Sequence, residues 1–249
     1  MTYRSLLADI QQLGVRNGDV VMVHAGLRSV GPMIGGADTL IRALLAAVGE
    51  GGTVAAYVDF EPFFEEDDNP EDIPVFDKRV ARAARDHGVL HEAMRTWPGA
   101  MRSDHPDAGV VAIGAKAAWL TAEHPFQYGY GEGSPFERIV ETGGRVLMIG
   151  APLDTITLLH YAEHKAVIPD KRVVTYRRRM AESEWVEFEE FDTSEPVSDR
   201  FPENAFEIIA TEFLAAGGGV QGRIGQADSY LFESGPLVEF GIGWMERYP

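Results

Sequence analysis

Apolar positions along the chain follow two rhythms, a helical one and short unbroken runs. Leu6, Leu7, Ile10 and Leu13 recur three and four residues apart and Gly14 ends the pattern, which predicts a first helix. Residues 19–24 (DVVMVH) form a short β-rich run, the mark of a buried strand. A glycine-containing loop over 25–36 leads to a predicted helix over 37–48, with Asp38 or Thr39 as cap and Gly49 as stop. Further strands are predicted over 52–60, 108–114 and 145–150, the last (RVLMIG) being the clearest buried run. Helices are predicted over 115–122, 153–166 and 204–216, and in part of 77–95, where Gly88 interrupts; 101–107 reads as a turn. Residues 173–176 and 185–191 read as a hairpin charged on one side, while the run at 230–232 fits strand or helix. Strands alternating with helices predict an α/β fold. The late hairpin favours a mixed central sheet flanked by helices over a purely parallel one.

A length of 249 residues suits a single large domain, 1–249, with a small lobe on it. The absence of cysteine rules out disulfides, thiolate zinc sites and cysteine nucleophiles, and is compatible with a cytoplasmic protein. No secretory pattern and no apolar run long enough to span a bilayer are visible. Acidic residues outnumber basic ones by 39 to 22, a net charge of −17. Such a chain repels nucleic acid and anionic membranes and attracts cations. The excess serves either solubility or the capture of a polycation. Seven of the carboxylates lie in 61–74, beside three prolines, an exposed acidic loop by composition. The sequence carries no marker of oligomeric state.

The sharpest local pattern is His160-Tyr161-Ala162-Glu163-His164. On a helix, positions i, i+3 and i+4 share a face, so the three ionisable side chains converge. Three readings stand. H-x-x-E-H is a zinc metallopeptidase motif. The same residues form a metal-free general base, an imidazole oriented by a carboxylate. They also fit a polar helix face. Gly217-x-Gly219-x-x-Gly222 matches a dinucleotide pattern but follows a helix, the wrong context, and reads as a flexible loop. In 25–36, four glycines with Arg28 and Ser29 suit either a phosphate-approaching loop or a plain connection. EFEEFD over 187–192 sets four carboxylates in six residues. A bulge, or a strand ending near Glu190, would aim some into a cleft; otherwise they are solvated edge charges.

Taken in order, the blocks HAGLRSVG (24–31), RSDHP (102–106), SPFERI (134–139), VLMIG with TLLHYAEH (146–164) and GRIGQA (222–227) resemble the aminoglycoside N3-acetyltransferases of the antibiotic N-acetyltransferase type. The resemblance runs over about residues 4–240. It implies acetyl-CoA as donor, an amine of a polycationic aminoglycoside as acceptor, antibiotic resistance as the outcome, and an α/β fold unlike the GNAT acetyltransferases. It implies a catalytic His160, with Thr157 and Glu163 from the same block. His24, Arg28, Ser29, Val30, Gly31, Arg102, Ser103, His105 and Ser134 fall in blocks on the CoA side, and Asp59, Glu190 and Asp192 near acidic acceptor positions. No metal is implied, and the zinc metallopeptidase remains as the alternative. The chemistry is consistent: an ammonium must lose a proton before it attacks a thioester, and histidine titrates in the right range.

Overall fold

A computed structural model of the chain describes residues 1–60, 72–194 and 196–248, with Asp86 in backbone only. Most of the acidic stretch 61–74 lies outside the described residues. In chain order the elements are α1 (Tyr3–Leu13), β1 (Val20–Ala25), α2 (Leu27–Val30), α3 (Gly36–Val48), β2 (Thr53–Tyr57), α4 (Val89–Arg95), β3 (Met101–Arg102), β4 (Val110–Gly114), α5 (Ala117–Thr121), α6 (Pro135–Glu141), β5 (Arg145–Ile149), α7 (Leu158–Lys165), β6 (Val173–Ala181), β7 (Glu184–Phe191), α8 (Ala205–Ala215), β8 (Gly219–Ile224), β9 (Ala227–Glu233) and α9 (Ser234–Arg247). Single 3-10 turns lie at Arg85–His87 and Leu153–Thr155.

Seven strands form one mixed sheet in the order β3-β4-β2-β1-β5-β9-β8. The central β1 runs parallel to β2 and β5, and the remaining pairings are antiparallel. Because successive strand residues point to opposite faces, β1 alternates between two cores. Val20 and Met22 pack under α5 to α9, and Val21 and Val23 under α1, α3 and α4. Burial on both faces explains the unbroken apolar runs. Among the described residues no helix is long and apolar enough to cross a membrane.

Several expectations need correction. The G-x-G-x-x-G stretch is not a flexible loop. Gly217 (φ +83°) ends α8, and Gly219 and Gly222 lie in β8. A Cβ on Gly219 would sit 2.8 Å from Phe232, so glycine here serves close packing. Residues 230–232 belong to β9, between β5 and β8. Gly35 occupies the start of α3, while Thr39 donates back to the Ile34 carbonyl at 2.5 Å. The stretch 77–95 is helical in part, as expected: a 3-10 turn and α4 are separated by Gly88.

The hairpin β6–β7 forms its own two-stranded sheet. Its burial alternates with period two, so Phe188 and Glu190 face inward while Glu187 and Glu189 face out. No bulge near Glu190 is needed: the strand is regular to Phe191, and the register shift lies at the far end, between Arg179 and Ala181.

Candidate active site

The carboxyl ends of β1, β2 and β5 open into a cleft of about 1030 Å³, walled on one side by the inner face of the hairpin. Such crevices at the carboxyl ends of parallel strands are the usual ligand sites of open α/β sheets. The end of β1 supplies His24 and the short α2 that follows supplies Arg28, while Tyr57 ends β2 and Asp59 lies two residues beyond it. Thr157 and His160 come from the start of α7, and Glu190 from β7. Gly26 matters for shape: a Cβ there would lie 2.5 Å from the Gly150 carbonyl oxygen, so only glycine lets the turns after β1 and β5 approach.

His160 lines this cleft with its ring between Tyr130 and Phe206, each centroid 4.9 Å away. Its Nδ1 lies 2.7 Å from Glu163 Oε2, three residues on and buried. An ionised carboxylate can only accept, so toward an ionised Glu163 it is Nδ1 that donates, and Nε2 is the ring nitrogen left to the cleft. Thr157 precedes α7 by one residue and shares the face of His160. Its hydroxyl makes one long bond, 3.5 Å to the Thr155 carbonyl. The second histidine of the motif takes another partner: His164 Nε2 lies 2.9 Å from Glu190 Oε1. The two imidazoles therefore face different carboxylates, and among the described residues no cluster could hold a metal ion. The zinc reading of H-x-x-E-H is corrected on that geometry.

Two further groups meet in the cleft. Asp59 Oδ1 lies 2.7 Å from His87 Nε2, and the His87 ring stands edge-on to Tyr57, 4.9 Å between centroids. Arg178 from the hairpin makes a forked pair with Asp107, its Nε 3.0 and 3.1 Å from the two carboxylate oxygens. Burial nevertheless pushes the Asp107 carboxyl up, Arg178 opposing. The Tyr57 hydroxyl donates to the Asp107 backbone carbonyl at 2.6 Å and lies 2.8 Å from the Tyr130 hydroxyl. Burial pushes both phenols up, so both stay protonated. His24 is 5% exposed, and burial, helped by His91 and His87, pushes it down to about 3. Among the described residues its Nε2 has no hydrogen-bond partner.

Of the residues the sequence singles out, His24, Arg28, Asp59, Thr157, His160 and Glu190 meet in the cleft, with Glu163 directly behind His160. Others are held elsewhere. Val30 is fully buried in the α1/α3 core, and Gly31 (φ +90°) packs against the Gln226 side chain. Ser29 is exposed beside the cleft, its hydroxyl donating to the Gly150 carbonyl at 3.3 Å. Arg102 is buried: it donates to the Ala81 and Val58 carbonyls and lies over the Phe76 ring. Its remaining surface faces a separate crevice beside Lys78 and Arg95. Ser103 accepts from the Val110 N–H and meets His124. His105 Nδ1 accepts from the Asp107 and Ala108 N–H groups. Ser134 caps α6, accepting from the Glu137 N–H at 3.3 Å. Asp192 turns away, toward Arg172 and the Ser194 N–H and hydroxyl. The sequence reading misses His87, Asp107, Tyr130 and Arg178. It also misses Tyr57, although the predicted strand over 52–60 would put Tyr57 and Asp59 on one face.

Residues 22–246 match the profile of a family described as aminoglycoside 3-N-acetyltransferase. The chain belongs to that family. Aminoglycoside N(3)-acetyltransferase III of Pseudomonas aeruginosa is 41% identical over 257 residues, covering 98% of this chain and 93% of the relative. Aminoglycoside N(3)-acetyltransferase IX of Micromonospora chalcea is also 41% identical, covering 96% and 91%. Among solved structures, AAC-IIIb in binary complex with CoASH superposes with a TM-score of 0.96 at 48% identity, covering 99% and 97% of the two chains. AAC-VIa bound to sisomicin gives 0.92 at 39% identity, covering 99% and 97%. The α/β fold of the aminoglycoside N3-acetyltransferases, with its mixed sheet, is the fold of this chain.

Proposed function

We propose that the chain transfers the acetyl group of acetyl-CoA to an aminoglycoside amine, the 3-amino group named by the family, and so confers resistance. The observation that carries this reading is the His160–Glu163 pair, 2.7 Å apart, with the imidazole lining the cleft. The acceptor arrives as an ammonium, which has no lone pair. His160 Nε2 takes one proton from it while Nδ1–H stays on Glu163, whose carboxylate offsets the imidazolium charge. The freed amine attacks the thioester carbonyl, a C–N bond forms, and negative charge collects on the oxygen. We assign the Thr157 hydroxyl to stabilise that charge or the leaving sulfur. Collapse restores the carbonyl and breaks the C–S bond. The attacking nitrogen sheds its second proton to solvent, leaving a neutral amide, and His160 returns the first proton to the departing thiolate.

Acetyl-CoA is a cosubstrate here and no metal is invoked. In this reading His24 and Arg28 meet the donor, while Ser29, Val30 and Gly31 shape the turn. Arg102, Ser103, His105 and Ser134 support the cleft from behind. Glu190 and Asp59 receive acceptor ammonium groups, and Asp192 adds only long-range charge. Residues 1–249 act as one catalytic domain, the β6–β7 hairpin being its acceptor lobe. A cytoplasmic setting fits a chain without cysteine.

The test is thiol release from acetyl-CoA with an aminoglycoside panel headed by sisomicin. His160→Ala should lower kcat by about 10²–10⁴, the usual share of a general base, and leave CoA binding by calorimetry intact. Near-normal turnover by the folded variant would overturn the assignment.

A further inference from the structure

His164 has no part in the transfer chemistry, yet its side chain is nearly buried, 9% exposed, against a carboxylate only 5% exposed. Its ring is fixed on three sides. Phe191 lies 4.6 Å away and Tyr128 stands edge-on at 5.9 Å, centroid to centroid. On the third side Gly131 leaves room for the ring alone, since a Cβ there would lie 2.6 Å from His164 Nδ1. Held this way, Nε2 meets Glu190 Oε1, which also accepts from the Phe191 N–H at 2.8 Å. Both of these contacts fall on one oxygen of the carboxylate. The other, Oε2, is buried and has no hydrogen-bond partner among the described residues, and Glu190 lines the cleft. A buried carboxylate oxygen without a partner is costly unless a ligand completes it.

We infer that His164 is a positioning residue for the acceptor: by holding Oε1 of Glu190 it presents Oε2 to an incoming ammonium. The inference rests on the reading that Glu190 receives the acceptor. It also gives the two histidines of the motif separate tasks on one helix. His160 handles the proton, and His164, one turn later, fixes the hairpin carboxylate in register with it. The acceptor is thus placed relative to the base through α7 itself.

The test is a set of steady-state measurements with sisomicin as acceptor. Gln places an amide donor as many bonds from Cα as His places Nε2; Asn ends one bond short, and Leu offers no donor. His164→Leu and His164→Asn should each raise the acceptor KM about tenfold or more, the scale of a lost hydrogen bond to a charged group, with kcat and acetyl-CoA KM little changed. His164→Gln should restore the acceptor KM to near wild type. In a Glu190→Gln background, the His164 changes should add little, because they act through the same carboxylate. Full additivity in that background, or failure of Gln to rescue where Asn and Leu fold, would reduce His164 to packing and overturn the inference. An unchanged acceptor KM in His164→Asn would do the same. If Glu190→Gln alone leaves the acceptor KM untouched, the acceptor reading of Glu190 falls, and this inference with it. The single Glu190 variant therefore separates the two failures.

Discussion

The two nitrogens of His160 carry different assignments, and a single neighbour decides which is which. In the proposed mechanism, Glu163 Oε2 at 2.7 Å from Nδ1 holds the ring proton on that side and leaves Nε2 to take the proton of the acceptor. Glu163→Gln puts an amide in that place, free to present N–H instead of oxygen and so reverse the tautomer. We expect kcat to fall roughly a hundredfold, within the 10²–10⁴ that a general base provides, with both KM values near wild type. Stopped-flow acetylation under saturating substrates checks this, and an unchanged kcat would remove Glu163 from the mechanism. Arg102 illustrates the opposite outcome at the same scale. Its guanidinium is held by two backbone carbonyls and the Phe76 ring, and burial pushes it down to about 10. Its guanidinium ties the turn to the neighbouring loops, and its remaining surface lines a crevice apart from the His160 cleft.

Ser134 shows how an element can hide the reason for a sequence block. Its hydroxyl accepts from the Glu137 N–H at the start of α6, and Pro135 follows at the first helical position. Ser134→Ala should cost about 1 kcal/mol, the usual loss of a cap, and leave the acetyl-CoA KM unchanged. Urea unfolding and donor kinetics on one preparation check both halves; a raised KM at unchanged stability would return Ser134 to the donor site. Elements with a strong period are legible in the sequence: α1, α3, β1, β4 and β5 fall close to where apolar spacing puts them. The i, i+3 pairing of His160 and Glu163 is legible for the same reason. The inward side of β7 is settled only by the fold, which buries Phe188 and Glu190 together. Elsewhere local pattern gives no guide. Strand β8 has glycines where strand formers would signal it, because Phe232 and Leu13 occupy the space of their side chains. The segment before α4 has helical spacing but is pulled into loops by tertiary bonds such as Arg102 to the Ala81 carbonyl. His87 and Asp107 come from loops and reach the cleft only through long-range folding.

Across the whole molecule, four histidines are buried neutral. Burial is the leading cause in each: it pushes His24 to about 3, His91 and His124 to about 4, and His105 well down. His105 Nδ1 is already taken by two N–H donors, so the native state has no place for a second ring proton. Folded values below the unfolded value near 6.5 mean that stability is fully present above that pH and is lost as pH falls toward 4. Each histidine contributes a slope of about 1.4 kcal/mol per pH unit in that window. Urea midpoints should therefore drop steeply between about pH 7 and 5; a flat profile would contradict the neutral assignments. The contact between Gly26 and Gly150 has a different reach. It locks the turn after β1 to the turn after β5 with no space for a side chain, so the loop that follows β1 and the lead-in to α7 form one jaw of the cleft. The opposing jaw is a two-stranded hairpin, anchored by buried Phe188 against His105 and Phe126 and by polar ties such as Arg178 to Asp107 and His164 to Glu190. On the proposed assignment of the hairpin to the acceptor, substitutions there should alter the choice of amine while the glycine-locked turns keep the geometry of transfer.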